Sequence, residues 1–196
     1  MSVAAYQSDL LKRFALHFGH DIVETEWRTF PGDSSHYAPR IDVAVGPFAY
    51  GNIKLDAQFN MMADEHAGFI EALHAANEVN RRVLDPDFER PAGRLGHFNA
   101  NARCFIAVEI EHRVTRKHLL GGAINAAALG RIAIVVGWTP DKVRALAKLV
   151  KYFDFLESVH KSSFPTINIV VLDPPQLMEA VQKHLHPLPR SARDQV

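Results

Sequence analysis

The stretch 103–140, RCFIAVEIEHRVTRKHLLGGAINAAALGRIAIVVGWTP, constrains the chain more than any other. Residues 105–110 are a continuous apolar and β-branched run broken by one acid, the composition of a central strand covered on both faces. Residues 131–136 repeat that pattern. Between the two runs lies a small-residue helical segment, with Thr115 placed to cap its start and Gly130 placed to end it. A strand, crossover helix and strand of this length imply a right-handed parallel β-α-β unit, and hence an α/β protein.

Period-two alternation puts Phe105, Ala107, Glu109 and Glu111 on one face of the first strand, and Ile106, Val108 and Ile110 on the other. Two carboxylates therefore project from the C-terminal end of a buried strand on the same side. Carboxylates at the edge of a dry core are paired, hydrogen-bonded or bound to a cation, because an unpaired one is costly. One reading pairs Glu109 and Glu111 with Arg113, Arg116 or Lys117 close by. The other makes them part of a functional site.

Upstream, residues 4–18 read as an amphipathic helix stopped by Gly19. His17 and His20 have metal-like spacing but read as a histidine pair at a helix terminus. Residues 22–30 read as a strand with Val23, Thr25, Trp27 and Thr29 on one face and Glu24, Glu26 and Arg28 on the other. The next strand, 40–48, carries Asp42 opposite Ile41, Val43 and Val45, an unusual place for a poor strand former. Residues 49–102 break the pattern and read as an insertion. It comprises a short strand at 53–57, a helix at 64–83 and a long loop at 85–101, and could serve as a lid, a dimer contact or a substrate arm. Asp64, Glu65, His66 and Glu71 within it are metal ligands on paper, but acids in a first turn more simply serve the helix dipole. Downstream, Thr139-Pro140 starts a helix to about Ser158, residues 166–172 read as a strand, and Asp173–Gln176 forms a capping box for a last helix.

Charge and composition limit the partners. Lys+Arg and Asp+Glu are 22 each, so no global field favours nucleic acid or an anionic membrane. Contact with a polyanion would have to come from the local cluster Arg113, Arg116, Lys117 and His118. A single cysteine, no signal-peptide pattern and no apolar run of membrane-spanning length predict a cytoplasmic protein that does not enter the membrane. Walker A, GxGxxG, HExxH, CxxC and GxSxG motifs are absent, which disfavours the common nucleotide-binding, zinc-hydrolase and serine-hydrolase chemistries. Gly121-Gly122 falls inside the predicted helix rather than in a phosphate loop, and reads as a means of seating that helix close on the sheet.

An acid on a middle strand, Pro39-Arg40-Ile41-Asp42, followed much later by Val108-Glu109-Ile110-Glu111 on the central strand, resembles the PD-(D/E)XK, or restriction-endonuclease-like, superfamily. The likeness covers residues 4–48 and 105–172 in element order. It implies a single domain over 1–196 with an insertion at about 49–102, and a restriction-endonuclease-like core of αβββαβ order whose mixed central sheet is flanked by helices. It also implies a metal-dependent nuclease that hydrolyses phosphodiester bonds in DNA with Mg²⁺ or Mn²⁺. Asp42 and Glu109 would be metal ligands together with the Ile110 carbonyl, and Glu111 a ligand or water-positioning group. Arg113, Arg116 and Lys117 would contact phosphates. Many such proteins pair to cut two strands, so a homodimer is compatible with the resemblance.

Glu111 stands where the family usually has lysine. Lys117, on the following helix, is the stand-in for that catalytic cation. The alternative is a catalytically degenerate nuclease-fold protein acting as a nucleic-acid or protein binding module. A third reading is an unrelated α/β protein with structural ion pairs; an all-parallel sheet would favour it, and mixed strand directions would favour the first two.

Overall fold

The computed structural model describes residues 1–30, 38–89, 92–112, 116–161 and 166–187, without the side chains of 92–94 and 116–117. Five strands, β1 (Val23–Trp27), β2 (Ile41–Val45), β3 (Cys104–Glu111), β4 (Gly130–Gly137) and β5 (Ile169–Leu172), lie side by side in sequence order. β2 runs antiparallel to both β1 and β3, whereas β3, β4 and β5 run parallel. The start of β2 and the ends of β3, β4 and β5 therefore share one edge of the sheet. The β2–β3 register pairs Val43 with Val108. One step further along it, Asp42 comes opposite Glu109.

Among the described residues six α-helices cover the sheet: α1 (Val3–Phe18), α2 (Asp56–Glu65), α3 (Ala67–Arg82), α4 (Arg116–Leu129), α5 (Pro140–Ser158) and α6 (Pro174–His184). On one face, Leu10, Phe14, Phe69, Leu73 and Leu177 pack on Val43, Val45, Ile106, Val108 and Ile134. On the other, Ala123, Ala126, Ala127 and Leu146 pack on Ala44, Ala107, Ala133 and Val135. Small residues on both sides of this second layer bring α4 close to the sheet. The helix starts behave as their sequences dictate. Ser2 and Thr139 accept hydrogen bonds from the backbone amides of Ala5 and Lys142, and Asp173 and Gln176 form a reciprocal capping box.

Several expectations need correction. β1, β2 and β5 are shorter than the apolar patterns over 22–30, 40–48 and 166–172 suggest. Trp27 does not share a face with Val23, because the intervening Glu26 adopts a left-handed φ of 53° that turns the chain over. Phe105 leaves the face of Ala107 and packs among Phe18 and Phe59. Gly130 stands directly after α4, where a cap belongs, and is also the first residue of β4, where a Cβ would come within 2.8 Å of that of Ala107. Thr115, predicted to cap α4, lies outside the described residues.

Residues 49–102 hold two helices rather than a strand and one helix, since the chain breaks at His66 between α2 and α3. Asp64 and Glu65 consequently end α2 instead of opening a helix, so the dipole reading of these acids fails. The segment belongs to the fold. Phe59, Phe69 and Leu73 enter the first core. The Asn77 side chain accepts from the Val171 amide, and Asn80 donates to the Val171 carbonyl, each at 2.8 Å, so α3 satisfies the free edge of β5. Arg131 of β4, 1% exposed, donates to the Gly96 and Asn99 carbonyls and to Asp56 and Asn60. No helix among the described residues is long and apolar enough to cross a membrane.

Candidate carboxylate site

Asp42, Glu109 and Glu111 meet at the sheet edge where β2 begins and β3 ends. Asp42 Oδ2 accepts a 2.7 Å hydrogen bond from the Ile110 amide, so its side chain takes the place of a backbone partner where the ladder stops. Gln7 of α1 donates to the Asp42 carbonyl at 2.8 Å, which fixes the strand start against the helix. Glu109 and Glu111 are each only 8% exposed. Glu109 Oε1 is buried without a hydrogen-bond partner. Among the described residues, neither glutamate has a salt bridge.

The three acids face a hollow of about 460 Å³ between the sheet edge and α4, with Arg40, His118 and Gly122 in its wall. Gly122 is a matter of space: a Cβ there would lie 2.5 Å from Glu111 Oε1. The Gly121-Gly122 pair therefore does more than seat the helix, because its second member makes room for a carboxylate, while Gly121 faces nothing within 4 Å.

Electrostatics follow from this crowding. Burial pushes the Glu109 pKa well above the ordinary carboxylate range, and the charges of Asp42, Glu111 and Glu26 push it further. Burial also raises Glu111, with Asp42 adding to the rise and His118, His112 and Lys142 opposing it. Asp42 is raised by burial and by Glu26, against the pull of the Ile110 amide and His112. All three shifts share one sign. The cluster repels its own charge.

The predicted cationic partners stand differently. Arg113 lies outside the described residues, and Arg116 and Lys117 open α4 with side chains outside that description. The cation seen in the wall is Arg40, which reaches Glu26 Oε2 at 3.1 Å. Arg40 was legible, since it precedes Asp42 by two in a strand and so shares its face. His118, Gly122 and Asn125, spaced four and three apart, form one helical face over the acids. Glu26 gave no signal, because a left-handed residue defeats alternation.

Oxygen donors at this edge suit a hard divalent cation, and the partnerless Glu109 oxygen is a free donor. The cluster is open rather than a finished cage: among the described residues, no group of three or more His, Cys, Asp or Glu side chains closes on a common point. A second, larger hollow of about 620 Å³ lies beyond the ends of β4 and β5, beside Trp138, whose amide donates to the Glu111 carbonyl. Its one carboxylate, Asp173, is already engaged in capping α6. The three carboxylates gather at the smaller hollow.

No protein-family model matches the chain, and no curated protein or solved structure matches it either.

Proposed function

We propose that the protein is a metal-dependent nuclease of the PD-(D/E)XK type, hydrolysing phosphodiester bonds in DNA with Mg²⁺ or Mn²⁺. The observation that carries this reading is the gathering of Asp42, Glu109 and Glu111 from adjacent strands at one sheet edge, with a buried Glu109 oxygen that has no partner. Self-repelling carboxylates without a counter-cation are costly in a core, and they make sense as ligands. The mixed strand directions support it too, since an all-parallel sheet would have favoured an unrelated α/β protein.

Asp42 and Glu109 would hold the cation, with the Ile110 carbonyl beside them. A cation bound there would polarise the scissile phosphate and acidify an attacking water. Glu111 would be a further ligand or orient that water. Arg40 in the wall, with Lys117 and Arg116 at the start of α4, would offset charge growing on the phosphate. Arg113, Arg116 and Lys117 would hold the DNA backbone. A homodimer would bring two such sites to opposite strands.

The second reading, a degenerate nuclease fold that binds nucleic acid or a protein partner without cutting, rests on one observation. Among the described residues, no lysine side chain lines the carboxylate hollow.

Calorimetric titration of Mn²⁺ into the wild type and the Asp42→Ala/Glu109→Ala variant, followed by cleavage assays on duplex, single-stranded and branched DNA, separates the two. Binding and Mn²⁺-dependent cleavage that both vanish in the folded variant support the nuclease. Carboxylate-dependent metal binding without cleavage of any substrate supports the binding module. Cleavage that survives in the variant overturns the proposal.

A further inference from the structure

A second site lies at the other end of α1. Gln7 touches the carboxylate edge, and His17 is about 15 Å further along the same helix at 1.5 Å per residue. There the His17 and His66 rings meet with their Nε2 atoms 2.9 Å apart and their planes 82° from each other. The sequence pairs His17 with His20 by spacing. The fold pairs it instead with His66, held in place by the break between α2 and α3.

The tautomers are determined by what faces the other two ring nitrogens. His66 Nδ1 lies 2.7 Å from the Met62 carbonyl, and His17 Nδ1 lies 2.6 Å from the His186 carbonyl. A carbonyl only accepts, so each Nδ1 carries the hydrogen and each neutral ring presents a lone pair at Nε2. Two lone pairs thus converge at 2.9 Å, an arrangement that requires a cation between them.

We propose that His17 and His66 bind a divalent transition-metal ion of the zinc class through their Nε2 atoms. An Nδ1–H donated to a backbone carbonyl is the support that metal-bound histidines commonly have, because it fixes ring orientation and raises ligand basicity. Two bonds of about 2.0–2.1 Å span the observed separation at close to a right angle, and a few tenths of an ångström of movement opens it toward tetrahedral. A proton shared by the two Nε2 atoms is the competing occupant of that place. The walls are aromatic, with Phe18 against both rings and Phe105 against His66. No third His, Cys, Asp or Glu stands in place with the pair among the described residues, so the remaining positions on the ion would be left to solvent or another ligand. That is an open site rather than a closed structural one. The ion would tie the end of α1 to the α2–α3 junction.

This site is independent of the carboxylate cluster, which offers oxygen ligands to hard cations, whereas imidazole suits Zn²⁺, Co²⁺ and Ni²⁺. The test is titration of the full chain with Co²⁺, followed by visible absorption, and with Zn²⁺ against a chromophoric chelator. Wild type, His17→Gln, His66→Gln and Asp42→Asn/Glu109→Gln proteins are compared. One saturable equivalent that depends on the histidines is expected, weakened by roughly 10-fold or more in either histidine variant and unchanged in the carboxylate variant, where uptake at Asp42 and Glu109 is removed. Nitrogen-15 NMR of the wild type reads the same site without any substitution, and Zn²⁺ should move the Nε2 resonances of His17 and His66. The proposal is overturned if the wild type takes up no Zn²⁺, if no part of the uptake depends on the histidines, or if NMR finds a shared proton that Zn²⁺ does not displace.

Discussion

Gly122 of α4 sits so close to Glu111 of β3 that a single added methyl would lie 2.5 Å from the Glu111 Oε1 and 3.7 Å from the Glu109 carboxyl carbon. The helix has given up a side chain to let a buried acid stand beneath it. Alanine normally stabilises a helix interior by about 0.5–1 kcal/mol over glycine. Gly121→Ala, which meets nothing within 4 Å, should show that gain in urea unfolding and leave Mn²⁺ affinity unchanged. Gly122→Ala should forfeit the gain and weaken Mn²⁺ binding by roughly 10-fold, as displaced ligand shells do. Equal behaviour of the two variants would remove the role assigned to Gly122.

The raised pKa of Glu109 makes stability depend on pH in a definite direction. The folded protein holds this proton more tightly than the unfolded chain, whose glutamate has the ordinary value of 4.5. Stability is therefore lost as pH rises from about that value through the raised folded one, and the full penalty remains above it. Glu109→Gln should match the wild type at acid pH and be more stable above the window, by roughly 1–3 kcal/mol, the usual cost of a buried unsatisfied group. Asp42 and Glu111 are raised in the same sense, so their amide variants should follow the same sign. Saturating Mn²⁺ should stabilise only the wild type and close the gap. Urea titrations from pH 4 to 9, with and without Mn²⁺, test both statements; a Glu109→Gln protein less stable at high pH would contradict them.

Much of this was readable from residue order. The run ending in Glu109-x-Glu111, the Asp42 strand, the Thr139 and Asp173 caps and the small-residue helix all declare themselves locally, because periodicity and capping act over a few residues. The pairing of Asp42 with Glu109 follows once the strands are known to be antiparallel. What stayed hidden depends on long-range packing. Nothing local says that Arg131, at a strand start, is swallowed by Asp56, Asn60 and the carbonyls of Gly96 and Asn99, or that His17 finds His66 rather than His20. Glu26 was assigned to the wrong neighbourhood because its positive φ is invisible to alternation.

Arg131 makes the case that residues 49–102 are structural. Its guanidinium is 1% exposed and donates 2.7 Å to Asp56 and 2.6 Å to the Asn99 carbonyl. Arg131→Met keeps the apolar stem but strips these donors, leaving buried carbonyls unpaired. A loss of about 3 kcal/mol is expected, the lower end for breaking a buried ion pair because Asp56 is 45% exposed and can turn to water. Chemical denaturation gives the magnitude. Limited proteolysis should also show faster cleavage within 49–102 than elsewhere, and an unchanged digestion pattern would mean that Arg131 is not the tie.

Glu26 joins strain to charge in one residue. At φ 53° a non-glycine side chain costs roughly 1–2 kcal/mol. The residue also holds Arg40 at the mouth of the hollow and raises Asp42 and Glu109. Strain kept at such a position is a feature of functional sites. Two substitutions separate the contributions. Glu26→Gly should relieve the backbone and stabilise the protein by about 1 kcal/mol, whereas Glu26→Gln keeps the strain and gains nothing from that source. Both should lower the carboxyl pKa of Glu109, read by carbon-13 NMR titration of the side chain, since both remove the same charge. Both should also free Arg40 and change the Mn²⁺-dependent cleavage rate together. If Glu26→Gly moved stability while neither variant moved the Glu109 titration, Glu26 would be a strained edge residue with no part in the carboxylate site.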